Sequence, residues 1–176
     1  MQIFAIDPGN EYSAYAVLDE WPNEDYHLLE FGKYPNKECM EKMLNWLGRR
    51  YGPDCVVIER VAGMGMPAGR ELFETAEWYG RFAQEAERFV PVNYVYRREE
   101  KLTICGDSKA KDANIRQALI DRFAKHDFKN GKGTKKEPDY FYGVAADMWA
   151  AISVGVTFLD RENEKAVKEM QRCSKA

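Results

Sequence analysis

Hydrophobic positions along the chain change period several times, and each change marks a predicted element. Residues 2–7 form a short apolar run with β-branched Ile3 and Ile6, stopped by the turn formers Pro8, Gly9 and Asn10. Residues 12–19 alternate weakly through Tyr15 and Val17, as an antiparallel return would, and residues 26–33 predict a third strand after the Trp21-Pro22-Asn23 turn. Over residues 37–51 the spacing lengthens to that of a helix, with Met40, Met43, Leu44 and Leu47 on one stripe. Gly52-Pro53-Asp54 stops it, and Cys55-Val56-Val57-Ile58 is a continuous apolar run of the kind buried on both faces of a sheet. Residues 68–89 predict a long helix, residues 92–96 another strand, and residues 111–123 a helix with Ile115, Ala118, Leu119 and Phe123 on one face. Residues 125–138 hold glycines and lysines and predict a loop. A final helix is expected from 143 to about 168, almost wholly apolar as far as Leu159. The order β-β-β-α-β-α-β-α-α predicts an α/β fold, a five-stranded mixed sheet flanked by helices on both faces. No repeat or low-complexity linker interrupts it, so residues 1–176 are expected to form one domain.

Composition narrows the classes. At 45% hydrophobic and 31% charged residues, the chain is neither disordered nor membrane-spanning in character. No basic segment precedes the first apolar run, so no secretory leader is expected. Cys39, Cys55, Cys105 and Cys173 contain no C-x-x-C pair, which excludes a zinc knuckle and suits reduced thiols in a cytoplasmic protein. The net charge of −3 conceals an asymmetry: residues 105–138 carry nine Lys and Arg against five Asp and Glu. Such a local excess can neutralise phosphates even when the whole chain is acidic.

Three acids stand out. Asp7 ends the first strand and Glu59 ends the buried strand after Ile58, so parallel neighbours would deliver both carboxylates to one edge of the sheet, where open α/β sheets place their sites. Asp147 is expected inside the last apolar helix, among Val144, Ala145, Met148, Trp149, Ala151 and Ile152, where an unpaired carboxylate is costly. Converging carboxylates repel one another unless hard cations sit among them, and Mg²⁺ or Mn²⁺ are the natural occupants.

Ile6-Asp7-Pro8-Gly9 with a tyrosine-rich returning strand, then Val57-Ile58-Glu59, then Ala145-Ala146-Asp147 resembles the RuvC-type Holliday junction resolvases, and most resembles the phage-encoded branch. The likeness runs from residue 3 to about 158. It implies a ribonuclease H-like fold and divalent-metal-dependent hydrolysis of branched DNA, with two ions per site, Asp7 bridging them and Glu59 and Asp147 holding one each. The family places a further ligand three residues before the last Asp; here that residue is Val144, with Asp139 and Asp107 as possible substitutes. The resemblance also implies a four-way junction as substrate and a homodimer matched to its two-fold symmetry. A catalytically silent junction-binding protein, or a nuclease on flap DNA or RNA, are the alternatives.

Lys109, Lys111, Arg116, Lys135 and Lys136 are the expected DNA contacts, the first pair opening a helix whose amides can add phosphate bonds. Gly131-Lys132-Gly133-Thr134 lacks the spacing of a nucleotide-binding loop, so no nucleotide cofactor is expected. Met64 and Met66, set among Gly63, Gly65 and Pro67, are candidates for an apolar wedge at the branch point. Trp78 and Phe82 look exposed on the 68–89 helix and are candidates for a dimer surface.

Overall fold

A computed structural model describes residues 1–21, 25–60, 62 and 69–173. Five strands, β1 (Gln2–Asp7), β2 (Tyr12–Asp19), β3 (His27–Pro35), β4 (Cys55–Arg60) and β5 (Val92–Tyr96), form one sheet in the order β3-β2-β1-β4-β5. β1, β2 and β3 meander antiparallel, whereas β4 and β5 join parallel to β1 and to each other. The helices are α1 (Asn36–Leu47), α2 (Arg70–Ala86), α3 (Arg97–Cys105), α4 (Asp112–Phe123) and α5 (Met148–Cys173).

The pleat sorts side chains onto two cores. Phe4, Ile6, Tyr15, Val17, Val56 and Ile58 face α1 and α2, where Cys39, Met43, Trp46 and Phe82 meet them. Ile3, Ala5, Ala14, Ala16, Leu18 and Val57 face α5 and α4 on the other side. α5 lies close on the sheet at Gly155, where an added Cβ would stand 2.2 Å from Leu18 Cδ1. Among the described residues no helix is long and apolar enough to cross a membrane.

Three expectations change. The last helix begins at Met148 rather than at residue 143, because Gly143 and Ala146 take positive φ angles of 89° and 44° that break a helical path. α3 was not legible in the apolar pattern, since Arg-Arg-Glu-Glu-Lys has no hydrophobic period. Phe82 is fully buried in the core against a partly covered Trp78, so it is no dimer surface.

Candidate active site

Strand register assembles the site. Ile6 pairs with Ile58 across parallel β1 and β4, which brings the next residues, Asp7 and Glu59, side by side at the same sheet edge. Asp7 pairs with Ala14 on β2, and Ala14 with Lys33 on β3, so Lys33, Ala14 and Asp7 share one row. Asp7 and Glu59 follow the alternation of Ile3, Ala5 and Val57, and their side chains therefore point to the α5 side. The turn after Asp7 is locked. A Cβ at Gly9 would lie 2.3 Å from the Tyr12 carbonyl oxygen, so only glycine fits. Asn36 Nδ2 donates to the carbonyls of Gly9 and Asn10, both at 3.0 Å, and Ser13 Oγ donates to Asn36 Oδ1 at 2.7 Å.

Asp7 and Glu59 are close enough for each carboxyl to act on the other. Burial, then the Glu59 charge, then Asp147 and Glu100, hold the Asp7 carboxyl well above the usual carboxylate range. Burial also raises Glu59, opposed by the Arg97 guanidinium. Glu100 is a further acid of this neighbourhood, and sequence reasoning missed it along with α3. It is fully buried. Burial and the Glu59 charge push it up to about 8. Its Oε2 accepts from Arg97 Nη1 at 2.6 Å and from Ser153 Oγ, while Oε1 is buried without a hydrogen-bond partner among the described residues.

Asp147 stands immediately before α5, not inside it. Its carbonyl accepts from the Ala150 and Ala151 amides, at 2.9 and 3.2 Å, as the first helical acceptor. Its side chain is half exposed rather than embedded in apolar surroundings, and Lys33 Nζ donates to Oδ2 at 2.5 Å. The Asp147 charge nonetheless reaches Asp7. Among the described residues no three His, Cys, Asp or Glu side chains are gathered tightly enough to hold an ion as they stand. Val144 is fully buried within the α5-side core. Asp139 accepts from the Lys125 and Tyr140 amides and pairs with His126, and Asp107 accepts from the Lys109 amide. Both organise their own loops.

The expected DNA contacts scatter. Arg116 lines a cavity of about 200 Å³ with Asp147, Arg97, Asp112 and Ser153, and stacks over Trp149. Lys109 and Lys111 border a separate groove, and Lys135 and Lys136 are exposed in the 125–139 loop. Met64 and Met66 lie outside the described residues. The basic groups that line a cavity with the carboxylate pair are others. A cavity of about 590 Å³ is lined by Asp7, Glu59, Arg60, Tyr96, Arg97 and Arg98 among others. Arg60 sits over the rings of Tyr94 and Tyr96, each 5.6 Å away. Arg97 and Arg98 belong to the helix that the apolar pattern did not reveal; the β5 strand pointing at them was the available signal.

A mixed sheet in this order, with Asp7 and Glu59 near the ends of two adjacent central strands and Asp147 before the last helix, has a ribonuclease H-like fold. Among solved structures the chain is similar to Thermus thermophilus RuvC, with TM-score 0.62 and 17% identity over 94% of this chain and 97% of that one. It is equally similar to T. thermophilus RuvC in complex with Holliday junction substrate, with TM-score 0.63 and 17% identity over 94% and 96% of the two chains. The yeast mitochondrial Holliday junction resolvase Ydc2 matches with TM-score 0.54 and 11% identity, over 90% of this chain and 77% of that chain. No family model matches, and no curated protein matches. The fold is thus that of RuvC, as the sequence motifs implied.

Proposed function

We propose that this chain is a structure-specific endonuclease that cuts Holliday junctions or other branched DNA by hydrolysing a phosphodiester bond with Mg²⁺ or Mn²⁺. One observation carries the reading: Asp7 and Glu59 stand side by side near the ends of adjacent parallel strands, two acids crowded at one sheet edge. Two carboxylates so crowded repel one another when ionised, which fits a position made for a cation. Glu100 Oε1, buried and unpartnered, fits the same deficit of positive charge.

Asp7, Glu59 and Asp147 would hold the ion. When bound, it supplies Lewis-acid stabilisation of the charge that develops on the phosphate and the leaving oxygen. Burial and the Glu59 charge raise Asp7, so protons compete with a cation there, because only the ionised carboxylate is a ligand. Lys33 Nζ holds the Asp147 carboxylate toward β3 until a stronger cation competes. The guanidinium groups of Arg60, Arg97 and Arg98 give an anionic backbone somewhere to rest beside the acids. A junction with two-fold symmetry calls for two sites acting in step, so the working unit is a C2 homodimer. Buried Val144 favours the second reading, a junction-binding protein without cleavage, because it withdraws the ligand that RuvC-type sites place there.

The test compares nicking of four-way junction, fork, flap, linear duplex and RNA–DNA hybrid at fixed salt with Mg²⁺. Preferential, symmetric cutting of the junction is expected. Junction-selective binding without any cut would select the silent alternative, and a preference for flap or hybrid would reassign the substrate.

A further inference from the structure

We propose that Arg97 is the phosphate receptor of this site, taking the two non-bridging oxygens of a DNA backbone phosphate laid over the Asp7–Glu59 pair; this rests on the nuclease reading above. Arg97 lines both cavities, the one that holds Asp7 and Glu59 and the smaller one that holds Asp147 and Arg116. It therefore stands between the acids that the register pairs and the acid that precedes α5.

Its guanidinium is clamped from three elements. Nη1 donates to Glu100 Oε2 on α3 at 2.6 Å and to Ser153 Oγ on α5 at 3.4 Å, and Nη2 donates to Asp112 Oδ1 at the start of α4 at 2.7 Å. An arginine carries five N–H donors. Those contacts use three, and among the described residues Nε–H and one Nη2 hydrogen have no acceptor. The side chain keeps 27% exposure, enough for the unused donors to meet a ligand.

The clamp is expensive in physical terms. Glu100 is wholly buried with one oxygen unpaired, an arrangement that burial alone disfavours. Fixing the guanidinium in one orientation is what that arrangement achieves. A planar fork held rigid matches two oxygens of a phosphate, which a mobile lysine does not. Tyr96 and the arginines at 60 and 98 complete a rim suited to an anion passing over the cavity. Because Asp7, Glu59 and Glu100 surround it, the phosphate approaches only once a divalent cation neutralises them. The Arg97 contact thus contributes to DNA affinity with Ca²⁺ present and little in chelator.

The experiment measures four-way-junction affinity of the full chain by fluorescence anisotropy across a salt series, with Ca²⁺ or with chelator, for wild type, R97Q and R97K. Each phosphate contact contributes about 0.9 to the slope of log affinity against log salt. R97Q is expected to lower the slope by about that amount and to weaken binding about tenfold in Ca²⁺, leaving the chelator values unmoved. R97K keeps the charge and the wild-type slope, yet its Mg²⁺-dependent kcat falls at least about tenfold at an unchanged KM, the effect of a lost fork. A folded R97Q with the wild-type slope overturns the proposal. Should circular dichroism find R97Q unfolded, R97K decides, and wild-type kcat in that variant overturns it equally. If wild type itself shows no Ca²⁺-dependent preference for the junction, it is the nuclease reading that fails.

Discussion

Replacing Glu100 by Gln isolates the electrostatic tension in this site. Burial and the Glu59 charge raise Glu100 from 4.5 to about 8, against the opposing pull of Arg97 and Ser153. The folded value lies above the unfolded one, so the native state binds this proton more tightly than the unfolded chain does. Stability from the group is complete below about pH 4.5 and is lost as pH climbs through about 8. At 1.36 kcal/mol per unit, the loss between pH 5 and pH 8 is roughly 2–4 kcal/mol. For a chain of this size each kcal/mol moves Tm by about 2–4 °C, so metal-free wild type should lose on the order of 5–15 °C over that range. Gln at this position cannot ionise and still accepts from Arg97. E100Q should match wild type near pH 5 and melt higher than it at pH 8, keeping only the slope that Asp7 and Glu59 supply. Thermal melts in chelator from pH 5 to pH 8.5 measure this. Curves for the two proteins that run parallel, or wild-type stability that rises over the interval, would refute the reasoning.

Val144→Asp would place a charge in a fully buried apolar position, and should cost about 3 kcal/mol or more without strengthening Mn²⁺ binding, as urea unfolding and calorimetry would show. Gly155→Val would push into Leu18, Ala5 and Ile3; a loss of about 1–3 kcal/mol is expected, and a neutral effect would mean that α5 can lift off the sheet. Lys33→Met removes the cation that competes for Asp147, so Mn²⁺ affinity should rise several-fold by electron paramagnetic resonance titration, and unchanged affinity would show that the ion pair does not compete.

The central strands and four of the helices were legible in the sequence because they bury apolar faces, from Ile3 and Ile6 in β1 to Met43 and Leu47 in α1. Asp7 and Glu59 were legible for a related reason: an acid that directly follows a buried apolar run has only the sheet edge to occupy. Asp147 was found but misplaced, since Ala145 and Ala146 extend the apolar stretch while the backbone leaves the helical region at Ala146. α3 escaped because its buried residue is Glu100, whose burial depends on an arginine three positions earlier and a serine on another helix. Charge pairing across elements leaves no periodic trace. For the same reason the basic groups beside the carboxylates, Arg60, Arg97 and Arg98, were overlooked in favour of the lysine-rich stretch, whose excess is a property of composition rather than of position.

The central claim is that Asp7 and Glu59 form the core of a divalent-metal nuclease site. Its most direct measurement is cleavage of a synthetic four-way junction by wild type and by D7N, with Mg²⁺, Ca²⁺ and chelator in parallel. Wild type should nick the junction in Mg²⁺ alone, and D7N should fall at least about a thousandfold, some 4 kcal/mol of transition-state stabilisation, while still binding the junction. Cutting by D7N at the wild-type rate, or cutting in chelator, would contradict the account.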